Sequence, residues 1–284
     1  MIYVSSACVR NSSIAESVEE LAKAGFTAIE LSGGTQPYAK LEDDLLRLQE
    51  MYGLAYLCHN YFPPPPSPFV LNLGSLDPEV EDLSMQHAKK AIDLSKKIGA
   101  KKYGLHAAFL FNIPLKQIGK EIEKQKLFER EAVIQKFNMN LAELNAYAGK
   151  DFSIYIENNV LSQANLNSFG EDPFLFTHAE NLSELDFPEK PKIILDLAHL
   201  KVSCSSLKLN FESHCQQLLQ LSDYIHISDN DGLSDSNGEL KAEGAIAHQL
   251  KSLPSLKQYD VSIEVYDGIE AVQNTYQLIE NLVR

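Results

Sequence analysis

The chain has 284 residues, 44% of them hydrophobic and 23% charged, with a formal net charge of −14. That length suits one closed α/β barrel, typically about 250 residues, or two smaller domains, and the excess of carboxylates argues against nucleic acid, which is held by clustered Lys and Arg. No apolar run approaches the roughly 18 residues of a membrane span, "MIYVSSACVRNSS" lacks an export signal, and Cys8, Cys58, Cys204 and Cys215 form no CxxC pair; the expectation is a cytoplasmic protein with reduced, mostly buried thiols and no membrane partner.

A first strand is expected over 1–6 and a helix over 13–25, where Ile14, Val18, Leu21 and Ala22 recur at helical spacing and Gly25 supplies a stop. A strand over 28–33 precedes a helix over 40–53, a strand over 55–60 precedes one over 78–99, and a strand over 103–108 precedes one over 129–149. The charged run 123–131 is expected to be the solvated start of that last helix. After a fifth strand over 153–158 the crossover is least regular, with weak helical spacing only at 172–185. The remaining units are a strand over 192–199 with a helix over 211–222, a strand over 224–229 with a helix over 244–253, and a strand over 261–266 with a helix over 268–284.

Eight such units predict a parallel eight-stranded (β/α)8 TIM barrel, one domain over 1–284. An open doubly wound sheet is the alternative, but no GxGxxG follows the first strand, and "LSGGT" (31–35) is not a phosphate fingerprint. The run "PPPPSP" (63–68) reads as a stiff loop wall rather than a linker, since "FVLNLGS" (69–75) resumes an apolar pattern.

Successive strands end in polar residues of metal-ligand or acid/base type: Glu30, His59, His106, Glu157, Asp196, His226 and Glu264. One alone reads as a loop hydrogen-bonding group; the repetition at one end of a barrel points to a site. Glu157, Asp196, His226 and Glu264 are 39, 30 and 38 residues apart, about one βα unit each. Three carboxylates meeting near the barrel axis repel one another and lose hydration unless a cation sits between them, so a divalent metal is expected. Oxygen and imidazole donors without thiolate suit Mn, Co, Fe, Mg or Zn. Cys58 should face away from His59 by strand alternation. For the same reason His199, three residues past Asp196, can reach the pocket only where the strand has given way to loop. His87, His178, His214 and His248 are expected to be surface or packing residues.

The segments "HNYFPPPPSPFVLNLGS" (59–75), "YGLHAAF" (103–109), "IYIENN" (154–159), "LDLAHL" (195–200), "IHISDNDG" (225–232) and "IEVYDG" (263–268) resemble, in order and spacing, the xylose-isomerase-like barrel superfamily of sugar and sugar-phosphate isomerases and epimerases, to which endonuclease IV also belongs. The resemblance covers nearly the whole chain. It implies a divalent metal, often manganese, on Glu157, Asp196, His226 and Glu264, and an isomerase or epimerase acting by proton transfer through a metal-stabilised enediolate, with Glu157 and Glu264 as base and acid. It further implies a small-molecule sugar bound by His199, His59, His106 and Asn158, with His59 and His106 as alternative second-metal ligands, and a homo-oligomer of the kind common among such barrels. Asn158, Asn159, Asp229 and Asn230 directly follow the catalytic candidates and are expected to bind sugar hydroxyls or orient ligands.

Two departures stand out. Epimerases of this type often carry arginine six residues beyond the strand-seven histidine, where this chain has Gly232. The endonuclease IV branch implies His59, His106, Glu157, Asp196, His199, His226 and Glu264 as metal ligands for cleavage of abasic DNA, plus an Asp-x-His pair that here reads "DSN" (235–237), with Asn237 for histidine and "GELKAEG" (238–244) for a proline-glycine segment. The third metal of that branch is therefore expected to be weak or absent. A metal-binding barrel without catalysis is the third alternative.

Overall fold

Runs of four or five residues, apolar at alternate positions, build eight strands: β1 Ile2–Ser5, β2 Ala28–Leu31, β3 Ala55–His59, β4 Lys102–His106, β5 Ser153–Glu157, β6 Ile193–Asp196, β7 Tyr224–Ile227 and β8 Asp260–Ile263. They come from a computed structural model that describes residues 1–187, 190–253 and 255–283. Each strand pairs in parallel with the next and β8 pairs with β1, closing a (β/α)8 TIM barrel. The helices are α1 Ile14–Lys23, α2 Leu41–Tyr52, α3 Pro78–Lys97, α4 Arg130–Ala148, α5 Gln163–Phe169, α6 Leu197–Leu207, α7 Phe211–Leu219, α8 Ala245–Lys251 and α9 Ile269–Val283. Among the described residues no helix is long and apolar enough to cross a membrane.

Strand alternation divides the side chains into two sets. Val4, Ile29, Cys58, Leu105, Ile156, Leu195, Ile225 and Val261 are buried in the core cluster that the helices share. The other set points into the barrel and is unusually polar for a fold whose interior is normally branched and aliphatic. At its N-terminal end Lys102 Nζ lies 2.6 Å from Asp260 and sits over the rings of Tyr155 and Tyr224, at 4.9 and 5.1 Å. Above that pair lie Glu30, Tyr224 and Ser262, joined by hydrogen bonds; the rim comes last.

Several expectations need correction. The sixth strand stops at Asp196, and residues 197–199 already belong to α6, which no spacing in the sequence had suggested. Asp196 ends the strand and caps the helix, so no loop intervenes. In the fifth crossover α5 precedes a 3-10 turn over Ala179–Glu184; Pro188 and Glu189 of that crossover, like the expected helix end at Arg284, lie outside the described residues. Residues 123–129 are not helical: Leu127 and Phe128 pack on the core, and the Phe128 N–H donates to Leu110 O before α4 starts at Arg130. The proline run lines the cavity over the rim, as a stiff wall should.

The "LNLGS" segment that follows the prolines is held from its side chains. Asn72 Nδ2 donates to Phe109 O at 2.9 Å, and its Oδ1 accepts from Gly74 N and Phe109 N. Gly74 is what lets the segment lie this close to the β4 loop and α4, since a Cβ there would stand 2.6 Å from Ala108 Cβ and 2.8 Å from Val133 Cγ1. Neither neighbour is the end of a flexible chain. Gly74→Ala should therefore destabilise the protein by about 1–3 kcal/mol through overpacking, read as a lower urea midpoint with an unchanged slope.

Candidate metal centre

The inward set ends, at the C-terminal rim, in the residues that the strand ends singled out. Glu157, Asp196, His226 and Glu264 are buried and each offers a donor atom within 4.8 Å of the others. Two further sets overlap with it: His106, Glu157 and His199; and Glu30, His59, His226 and Glu264. Three atoms at the centre, Glu157 Oε1, Asp196 Oδ2 and His226 Nδ1, have no hydrogen-bond partner although they are sealed from water. Glu157 Oε1 and His226 Nδ1 are 3.2 Å apart yet not aligned for a hydrogen bond. They converge on a shared point rather than on each other, and buried polar atoms are rarely left in that condition. Three carboxylates and an imidazole converging in this way fit a divalent cation.

The surroundings fix each donor. His226 Nε2 is 3.1 Å from Glu30 Oε2, so the imidazole presents Nδ1 to the centre. Glu30 is held by the hydroxyls of Tyr224 and Ser262, each two residues before a rim residue on the same face of its strand. Asp196 divides its carboxylate: Oδ1 accepts from His199 N at 2.7 Å, capping α6, while Oδ2 is left for the centre. Because a helix starts at once, positions 196 and 199 share a side, and His199 Nε2 comes within 3.8 Å of Asp196 Oδ2. Residues three apart on a strand would have diverged. His199 Nδ1 lies 2.9 Å from Asn158 O, and its Nε2 lies 3.2 Å from Asp235 Oδ2.

Burial pushes the Asp196 carboxyl up to about 7, opposed by His199 and reinforced by Asp235 and Glu157. Glu157 is subject to the same burial, but His106, His59 and His226 outweigh it and hold the carboxyl well below its usual range. Burial also disfavours charge on His226 and His199; carboxylates outweigh it, Glu30, Glu157 and Glu264 around the first and Asp196 and Asp235 around the second, so both imidazoles are raised well above their usual range. His106 goes the other way, to about 4, chiefly through burial. The centre thus balances its own acids with imidazolium, charge that a divalent cation would replace.

A cavity of about 540 Å³ opens over the rim, lined by His59, His106, His199, Asp235, Asn237 and Glu264, with Pro64 to Pro66 and Tyr266 at the sides. His59 Nε2 is 2.8 Å from Glu157 Oε2, and His106 Nδ1 is 3.3 Å from the same oxygen. Asn158, expected to touch substrate, does not face the cavity: its amide bonds the backbone N–H and C=O of Asp196. Asn159 likewise donates to Ala107, Ala108 and Leu175, and Asn230 to Ala198 O. Asp229 pairs with Lys201 of α6 at 2.6 Å, and the same ammonium also binds Asn230 O. Gly232 sits in a left-handed turn at φ +81°, a place that favours glycine over a clamping arginine. Asn237 donates to Asp235 Oδ2 at 3.3 Å.

Asp235 and the Tyr224 and Ser262 hydroxyls are the contributors that the strand-end pattern did not single out as site residues; alternation back from His226 and Glu264 was the available signal for the two hydroxyls. Cys58 faces Ser95 on α3, away from the centre. His87 bonds Asn60 O, His178 meets His214 edge to face, and His248 is exposed.

The sequence profile of the xylose isomerase-like TIM barrel family matches residues 18–260. No curated protein is significantly similar in sequence. Among solved structures, a D-tagatose 3-epimerase-like protein is 18% identical with a TM-score of 0.73, covering 99% of this chain and 96% of that one. An L-ribulose 3-epimerase is 16% identical with a TM-score of 0.66, covering 97% and 86%. Endonuclease IV from Thermus thermophilus is 15% identical with a TM-score of 0.61, covering 99% and 98%. At these identities the likeness is one of fold.

Glu30→Gln tests the support of the centre without removing one of the four donors. Losing the carboxylate that orients His226 should weaken divalent-metal affinity by about 10- to 100-fold, measured by competition with a chromogenic chelator. An unchanged affinity would remove Glu30 from the account.

Proposed function

The chain belongs to the xylose isomerase-like TIM barrel family, and from that premise and the form of its rim we propose that it is a divalent-metal-dependent sugar isomerase or epimerase. One observation carries the reading: four buried donors, three with unpartnered atoms, converge beneath a cavity whose lining holds no Lys or Arg among the described residues. The unpartnered donors call for a cation, and walls without Lys or Arg suit a neutral polyhydroxy substrate better than a phosphate. The same walls, with the net charge of −14, weigh against an abasic-DNA phosphodiesterase, which would need cations along a backbone track.

Held by Glu157, Asp196, His226 and Glu264, the metal would polarise the substrate's carbonyl and hydroxyl oxygens and so acidify the neighbouring C–H. The chain's own residues do the rest. Glu157 and Glu264 stand on strands three apart round the ring, so they approach a bound carbon from different directions; one takes the proton from the carbon beside the carbonyl and the other returns it. Glu157 is kept ionised by the imidazoles around it, as a base must be. His199, fixed by Nδ1 on Asn158 O, would share its Nε2–H between Asp235 and a substrate oxygen. The proline wall and Tyr266 limit water at the reacting carbon.

In deuterated water the metal-loaded protein should exchange deuterium into the carbon beside the carbonyl of at least one member of a ketose panel. Glu264→Gln should slow that exchange by about 10²-fold or more, and Asp196→Ala should reduce bound metal in elemental analysis. Metal bound without exchange on any sugar would favour a barrel that binds and does not turn over; unchanged metal in the Asp196 variant would overturn the centre itself.

A further inference from the structure

A second cavity, of about 330 Å³, stands beside the one over the rim and shares Asn60, Tyr61, His106, His199 and Asp235 with it. Much of its wall is apolar, from Val70, Phe109, Ile113, Ile122, Val160 and Phe174, with Phe109 and Phe174 meeting edge to face at 5.7 Å. Several of these residues belong to a hydrophobic cluster distinct from the main core, built by the segments after β4 and β5. The chain has therefore packed a small satellite core around a space it leaves open, and open apolar volume is destabilising unless something fills it. Around the mouths, Leu115, Ile118 and Leu233 remain 48%, 41% and 63% exposed. Large apolar side chains gathered in water at an opening mark a binding surface.

Charge narrows the occupant. Apart from the shared rim, only Lys120 and Glu121 bring formal charge to this lining, one of each sign, so neither a phosphate nor a carboxylate is provided for. Asn159, Ser162, Asn165 and Ser234 also border the cavity, but Asn159 and Asn165 bond the backbone, so a polyol alone would leave the apolar walls unmatched. In another protein an apolar cavity of about 150 Å³ takes up benzene, so the space suits one or two fused rings, and Phe109, Phe174 and Tyr61 offer the edges and faces that aromatic rings pair with.

We propose that this cavity is an aglycone subsite, and that the substrate is an aryl glycoside with a ketone on its sugar ring, the carbonyl and hydroxyls lying over the metal centre and the aryl ring between the loops that follow β3, β4 and β5. The inference rests on the sugar reading of the centre. It extends that reading from free ketoses, which would leave the second cavity unfilled, to aryl glycosides that keep a ketone on the sugar ring for the proton transfer to act beside. His106 and His199, which line both cavities, lie where the sugar and its substituent join.

Loaded with Mn²⁺, the protein would be titrated calorimetrically with methyl, phenyl, 2-naphthyl and octyl β-D-glucosides, which lack the ketone and so report binding without turnover. Phenyl and naphthyl members should bind about 10- to 100-fold more tightly than the methyl one, as expected for burying a ring. Ala164→Phe, from α5 into the cavity, should abolish that preference and leave methyl glucoside affinity unchanged; Val70→Phe, from the β3 side, gives the same test should the first variant fold poorly. No aryl preference in the native protein, including no binding of any member, overturns the proposal. So does an octyl glucoside bound as tightly as the naphthyl one, or a preference that survives both fillings. Metal content and deuterium exchange report on the centre independently, so a failure of the subsite and a failure of the metal reading cannot be confused.

Discussion

Four carboxylates, Glu30, Glu157, Asp196 and Glu264, are held out of water inside one ring of strands, and the polar groups of the upper barrel are arranged to answer that charge. Burying a carboxylate without compensation is costly enough that the group would otherwise protonate. Compensation comes in layers. Tyr224 and Ser262 donate to Glu30 from below, His226 bridges Glu30 to the centre, and His59 and His106 lean on Glu157. Asp196 receives the first turn of α6, whose unpaired N–H groups favour negative charge. What these contacts leave unanswered is one set of lone pairs at one point. A site whose acids were fully satisfied within the protein would have nothing left to offer a ligand.

Much of this could be seen in the residues themselves. Strand alternation with a polar residue at each strand end named the rim, and each of those residues arrives there because the strands are short and regular, so that an offset of two positions keeps a side chain on the same face. The same rule would have revealed Tyr224 and Ser262 had it been carried two residues further back. The misreadings share a cause in local overlap of signals. "DLAHLKVSCSSL" is apolar enough to pass as strand and helix alike, and what decides it is Asp196 acting as strand end and helix cap at once. Asn158 looked like a sugar-binding amide because it adjoins Glu157, but strand alternation turns it away from the cavity, toward the backbone of Asp196.

The departures from the family pattern also become physical. Gly232 is a turn residue whose N–H donates to Asn230 Oδ1, so an arginine clamp at that place would be strained as well as absent. Asn237 keeps contact with Asp235 through its amide but brings no imidazole. Asp235 therefore turns to His199, and together they line the partition between the two cavities. The loops that wall those cavities had no periodicity to announce them. The stretches 109–128 and 159–176 lack a sheet or helix period because Phe109, Phe111, Ile122, Leu161, Phe169 and Phe174 pack on one another in a cluster apart from the main core.

In many barrels of this class each loop after a strand behaves as a separate module, which is how one scaffold comes to serve many chemistries. Here two such modules are sewn together. Lys201, on α6, binds Asp229 and Asn230 at the start of the loop after β7, and Asn230 binds back to Ala198 O. The turn that carries His199 and the loop that carries Asp235 therefore form one inheritable piece. Exchange of either loop alone, by recombination or by design, would strand a half-buried ammonium or a buried carboxylate, so new specificities on this scaffold should arise by varying the pair together or by leaving it alone and changing the loops on the far side of the rim.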